Sequence, residues 1–215
     1  MIIKWLGHSC FRLESDGGTV VITDPFNETV GYPLPQGRAD VITVSHAHSD
    51  HNNTGIIEGK PVIIDTPGRH EAGGLTITGF MTYHDAMDGV LRGKSIIFIV
   101  EIDRLRICHL GDLGHVLSEE KVKELGRVDV LLIPIGGVYT IDAPAAAKVA
   151  ESIAPNIIIP MHYKLNCVRY DIEGVFPFTE IMKGRYDVSS LGGNTLEVDA
   201  GKAKKRQTVI VMNYY

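Results

Sequence analysis

The chain has 215 residues, 44% apolar and 22% charged, so a buried core can form and intrinsic disorder is disfavoured. A formal net charge of -5 argues against duplex nucleic acid as the main partner, because phosphate binding rests on a basic surface. Nine histidines stand beside only three cysteines, Cys10, Cys108 and Cys167, without a C-x-x-C pair, so neither a disulfide framework nor a thiolate zinc knuckle fits.

Along the chain, short β-type runs come first, at residues 2–6, 10–14, 19–23 and 41–44, parted by turn residues such as Asp16, Gly17 and Gly18. Further strands are expected at 62–65, 75–78, 95–101, 105–109, 130–134, 156–160, 195–198 and 208–212. Two helices are expected, 118–125 with a serine cap and 143–152 led by Asp142 and Pro144. The basic run at 202–206 reads as a solvated hairpin loop. The first residues lack the apolar stretch of a secretory signal, and no apolar run approaches the ~20 residues of a membrane helix. The expectation is a cytoplasmic protein with no membrane or nucleic-acid partner; a homo-oligomer is left open.

A weak duplication runs through the chain. Gly37-Arg38-Ala39-Asp40-Val41 resembles Gly126-Arg127-Val128-Asp129-Val130, and an apolar strand continues each. A strand ending in aspartate precedes each copy, which makes Asp112 the mirror of Asp24. An offset of roughly 90 residues is too long for a solenoid, so residues 1–215 read as one domain of two similar αβ halves facing each other.

The chemistry concentrates in His46-Ala47-His48-Ser49-Asp50-His51, where four metal-binding side chains fall within six residues. If the strand from Val41 continues extended, His46 and His48 point to the same side, and Asp50 and His51 follow where the chain leaves it. Small intervening residues let the loop fold tightly round an ion.

This H-x-H-x-D-H string resembles the signature of the metallo-β-lactamase superfamily. The likeness extends to Tyr83-His84-Asp85, His109-Leu110-Gly111-Asp112 and Pro160-Met161-His162-Tyr163. The start, Gly7-His8-Ser9-Cys10-Phe11 with Thr23-Asp24-Pro25, is similar to the branch holding ascorbate-phosphate lactonases and other Zn-dependent hydrolases. The resemblance implies an α/β (α+β) fold, the four-layer αβ/βα sandwich. It also implies two divalent metal ions, one held by His46, His48 and His84 and the other by Asp50, His51 and His162, with Asp112 bridging. Mixed nitrogen and oxygen ligands suit Zn²⁺ best, and Mn²⁺ and Fe²⁺ fit the ligand types too. Two carboxylates leave such a pair under-neutralised, which favours a small anionic substrate, and a metal-bridging hydroxide would be the nucleophile.

The expected activity is cleavage of a small ester, lactone or phosphoester, with Asp50 as the catalytic residue that holds and relays the proton. A phosphodiesterase or nuclease of the same fold, or a non-catalytic metal-binding regulatory domain, are the alternatives. Asp24 is the candidate acceptor orienting a ligand histidine, or else a turn-forming residue before Pro25. His8 is expected at the site mouth, and His70, His109 and His115 as structural or surface residues. Leu113 and the run Gly137-Val138-Tyr139 depart from the wider pattern, which implies an altered pocket. Residues 164–191 read as a lid or pocket wall, and Tyr139, Tyr163 and Arg185 are candidate substrate contacts.

Overall fold

Period-two burial builds the first sheet: in β2 and β3 the side chains of Phe11, Leu13 and Val21 enter one core, while those of Cys10, Val20 and Ile22 enter another on the opposite face. The computed structural model describes residues 1–201 and 207–214, so the basic run at 202–206 lies outside the described residues. The strands, in chain order, are β1 (Ile2–Gly7), β2 (Cys10–Glu14), β3 (Val20–Thr23), β4 (Val41–Thr43), β5 (Val62–Ile64), β6 (Gly68–Ala72) and β7 (Leu75–Tyr83). They continue with β8 (Lys94–Ile102), β9 (Leu105–His109), β10 (Val130–Pro134), β11 (Ile157–Met161), β12 (Asp187–Ser190), β13 (Thr195–Glu197) and β14 (Thr208–Val211). The α-helices are α1 (Glu119–Leu125), α2 (Ala143–Ile153) and α3 (Phe176–Met182).

Two sheets form, β13-β1-β2-β3-β4-β5 and β12-β14-β11-β10-β9-β8-β7-β6, giving the expected mixed α/β sandwich. The larger core lies against the second sheet and joins Trp5 and Phe11 to Phe98, Leu132 and Ile159. On that sheet α2 buries Ala143, Ala146, Ala147, Ala150 and Ile153, a stripe at helical spacing, and packs on β10, α1 and α3. Its cap is the expected Asp142, accepting from the Ala145 N–H at 2.9 Å; Ser118 caps α1 in the same way, accepting from the Lys121 N–H.

The helical layer differs on the other side. Among the described residues no α-helix covers the first sheet; a 3₁₀ turn, Thr54–Ile56, and loops carrying Phe26, Val30, Tyr32, Ile57, Val168 and Ile172 take its place. Pro25, Pro33 and Pro35 interrupt the connection before β4, which excludes a regular helix there. No helix of the described residues is long and apolar enough to cross a membrane.

Some elements escape the sequence reading. β6 and β12 are edge strands with mostly exposed side chains, so they carry no alternating pattern. β7 runs five residues past its expected end at Thr78, which carries the chain to His84. Within 164–191 the chain forms α3 and β12, and Tyr170 of the same segment lines a cleft.

The duplicated stretches occupy matching places. In the first sheet Asp40 exchanges hydrogen bonds with Val20, its carboxylate also accepting from the Val20 N–H at 2.9 Å. In the second sheet Asp129 does the same with Arg106, again at 2.9 Å. Each starts a parallel strand between two others, β3-β4-β5 and β9-β10-β11. This register corrects one detail. The Asp24 N–H donates to the Thr43 carbonyl as the Leu110 N–H donates to Leu132, so the counterpart of Asp24 is Leu110, and Asp112 lies two residues beyond it.

Candidate metal centre

Strand ends supply the site. His8 follows β1, Asp24 follows β3, His46 to His51 follow β4, His84 follows β7, Asp112 follows β9 and His162 follows β11. Carboxyl ends of strands are where α/β sheets place ligand sites, because the side chains of the first loop residues converge there. β4 stops at Thr43, so His46 and His48 do not lie on an extended strand as expected. A tight loop brings their rings together instead, with His46 Nε2 3.0 Å from His48 Nδ1.

The nitrogen and oxygen atoms gather in three overlapping groups, each within 4.8 Å: His46, His48 and His84; His46, His51 and Asp112; and His8, Asp50, His51 and His162. Asp112 sits at the centre. Its Oδ2 lies 3.2 Å from His51 Nε2, 3.3 Å from His84 Nε2, 3.4 Å from His162 Nε2 and 4.0 Å from His46 Nε2. His8, expected at the mouth, is buried, with its Nε2 3.3 Å from Asp50 Oδ2 and its ring 4.1 Å from that of His162.

Backbone strain and buried hydrogen bonds hold these groups. His8, Asp24 and His162 all adopt φ between 38° and 52°, which side chains other than glycine rarely accept. Asp24 is fully buried and accepts from the Ser45 N–H at 2.8 Å, the Ser45 hydroxyl at 2.6 Å and His51 Nδ1 at 2.9 Å. It therefore fixes the His51 ring with Nε2 turned toward Asp112. Gly111, at φ 53°, is needed for Asp112: a Cβ there would lie 2.6 Å from the Ser45 Cβ. His109 braces the same turn, accepting from the Gly111 N–H and donating from Nε2 to the Ser9 carbonyl at 2.8 Å. His115 bonds Thr82 and Val116, and His70 bonds Thr66, away from the cluster.

Electrostatics prepares ligands of both kinds. Burial pushes His46 down to about 3 and His8 to about 4, and it lowers His84, so these imidazoles are neutral at pH 7 with a lone pair to give. Burial would lower His51 as well, but Asp112, Asp24 and Asp50 outweigh it and raise it. For Asp112 burial would raise the carboxyl, and the His162 and His51 imidazoles overcome that and hold it well below the usual range.

Within the cluster His8 Nδ1, His51 Nε2, His84 Nδ1, His162 Nδ1 and Asp112 Oδ1 are buried without a hydrogen-bond partner. The three Nδ1 atoms lie across their rings from the Nε2 atoms turned into the cluster, but His51 Nε2 and the Asp112 carboxylate meet at its centre. Each such atom costs about 1–3 kcal/mol when left unsatisfied, so these two mark a place built for something else to bind. Imidazoles and carboxylates in these numbers fit divalent cations.

A cleft of about 340 Å³ opens onto the cluster, lined by His48, Ser49, Asp50, His84, Arg92, Asp112, Tyr139 and Tyr170. Tyr139 is where the sequence reading put a substrate contact. Tyr163, also expected as a substrate contact, does not line the cleft: it is buried, stacked on Trp5 at 5.4 Å, with its hydroxyl 3.4 Å from the Met212 carbonyl. Its side chain points into the core because His162 takes the turn toward the cluster. Arg185 pairs with Glu151 at the surface, outside the cleft. Arg92 and Tyr170 were missed. Tyr170 belongs to the segment 164–191 expected to form a lid or pocket wall, whereas Arg92 sits in a loop with no local signal.

Known proteins resemble this chain closely. A family model described as the beta-lactamase superfamily domain matches residues 2–162, ending at the last histidine of the cluster. A UPF0173 metal-dependent hydrolase of Archaeoglobus fulgidus is 32% identical over 194 residues, covering 76% of this chain and 83% of the relative. Another, from Thermoplasma volcanium, is 31% identical over 189 residues, covering 75% and 82%. A solved Thermotoga maritima structure, named as a candidate Zn-dependent hydrolase of the metallo-beta-lactamase superfamily, is 38% identical with a TM-score of 0.80 and covers 98% of both chains.

Proposed function

This chain belongs to the metallo-β-lactamase superfamily and is a metal-dependent hydrolase; from that premise we propose that it holds two divalent cations, best suited to Zn²⁺, and cleaves a small anionic ester, lactone or phosphoester. The observation that carries the reading is Asp112 Oδ2, set within 4.0 Å of imidazole nitrogens from four different histidines. His46, His48 and His84 would hold one cation, Asp50, His51 and His162 the other, with Asp112 shared between the two groups. His8, whose ring nitrogen lies within the second group, is a further donor. When bound, the cations supply Lewis-acid polarisation of the scissile bond and an activated water.

The chain's own side chains do the rest. Asp24 keeps His51 in one tautomer and one orientation by accepting its Nδ1 proton. Asp50 lines the open cleft together with Asp112 and is the more exposed of the two carboxylates, 17% against 2%, so it is placed to hold a proton between water and leaving group. The cleft's size suits a small molecule rather than a polymer.

The test is elemental analysis of the purified protein followed by a panel of lactones, sugar phosphates, bis-nitrophenyl phosphate, cyclic nucleotides and β-lactams, assayed with Zn²⁺ and with Mn²⁺. Two metal equivalents per chain and turnover of an ester, lactone or phosphoester are expected. One equivalent or none sinks the two-cation reading, and a fully loaded protein inert to every compound favours a regulatory role.

A further inference from the structure

The loop between β7 and β8 is fixed from inside. Asp85, buried beside His84, accepts backbone N–H groups from Met87 at 2.8 Å, Gly89 at 3.0 Å, Leu91 at 3.0 Å and Arg92 at 2.8 Å. A carboxylate wrapped this way makes the loop a rigid platform. The platform presents Arg92 to the cleft, where its guanidinium lies 5.0 Å from the centre of the Tyr139 ring and one N–H donates to the Val138 carbonyl at 2.9 Å.

Two features of that corner have no role in holding cations. Among the described residues no carboxylate lies within ion-pair distance of Arg92, although Asp and Glu outnumber Lys and Arg by 26 to 21 in the chain. Val138, which Arg92 clasps, is a β-branched residue at φ 56°, a strained conformation that sets Tyr139 over the cleft opposite Tyr170, their rings 5.8 Å apart. Met87, Val90 and Leu91 on the Arg92 loop and Val138 next to Tyr139 are each more than half exposed, which makes an apolar rim in the chain stretches that carry these two cleft-lining residues.

From this geometry we propose that Arg92 is a specificity-determining residue, receiving an anionic group of the substrate that is separate from the scissile bond, while the apolar rim receives the hydrocarbon between them. The substrate class is thus an ester or lactone that also carries a carboxylate or phosphate. A guanidinium with free N–H donors, backed by an aromatic face, is the partner such a group selects. The proposal rests on the hydrolase reading above and adds the second recognition point.

Mono-4-nitrophenyl adipate and 4-nitrophenyl hexanoate have the same chain length and differ in a terminal carboxylate. Water adds across the acyl–oxygen bond of either, releasing 4-nitrophenol and the acid. With the metal-loaded enzyme, kcat/KM is expected to favour the adipate by about tenfold or more. Arg92→Gln keeps a donor for the Val138 carbonyl but removes the charge, and should bring the ratio to about one; Arg92→Lys should retain part of it. Adipanilic acid, an amide analogue, followed by calorimetry, reads binding without turnover and should lose about tenfold in affinity in Arg92→Gln. A wild-type ratio near one, or a ratio and affinity that Arg92→Gln leaves intact, overturns the proposal. Failure of the loaded enzyme to hydrolyse either ester would count against the ester chemistry instead, and the calorimetric comparison would still decide on Arg92.

Discussion

The two parallel strand trios, β3-β4-β5 and β9-β10-β11, share a backbone hydrogen-bond plan but not a chemistry. Asp40 and Asp129 begin the middle strand of each and bond the neighbouring strand in the same manner. At the far end the copies part: the first places Asp24 where the second places Leu110, both fully buried. Asp24 is enclosed by Ser45 and His51 and acts behind the cluster. Two residues beyond Leu110, after the turn at Gly111, Asp112 enters the cluster itself. A repeated framework therefore fixes where strand ends meet, while the residues just past those ends decide whether a carboxylate faces a cation or supports a histidine that does.

The sharpest way to break this comparison is Asp112→Asn. Loss of the central charge should cost about 10³-fold or more in kcat/KM and reduce metal content, since a cation's charge stabilisation is worth several kcal/mol; unchanged metal content and rate would refute its central place. Asp24→Asn should act less strongly, through His51. Metal affinity measured by competition with a chelator should fall about 10–100-fold with the fold intact.

Smaller effects test the shared framework. Asp129 is buried and also accepts from Arg127 and Asn156, whereas Asp40 is half-buried with one side-chain bond. By urea unfolding, Asp129→Ala should cost about 2–3 kcal/mol and Asp40→Ala about 1 kcal/mol, without loss of bound metal. Equal costs would mean that the two copies carry equal loads. The smallest effect is on thiols. Burial raises Cys10 in β2 and Cys108 in β9, so only half-buried Cys167 should react quickly with Ellman's reagent in the native protein, and all three after denaturation.

Legibility followed distance along the chain and depth in the sheet. Interior strands such as β8 and β10 announce themselves by apolar content, and α2 by its cap and stripe, while the edge strands β6 and β12 expose most of their side chains and leave no pattern. Tyr163 and Tyr170 show the limit for the site. Both are tyrosines after the last strand-end histidine, yet one enters the core and the other lines the cleft.

By itself the sequence determined the ligand chemistry and its nucleus, because His46, His48, Asp50 and His51 are held together by the covalent chain within six residues. It determined the sandwich too, through strand patterning and family resemblance. The resemblance already implied a bridging Asp112; only the tertiary structure decided that Asp24 and Leu110 are counterparts, that His8 lies within the cluster and that Arg92 overlooks the cleft. Those residues are far apart in sequence, and their distances depend on the register of two sheets and the turns at their ends, which no local spacing encodes.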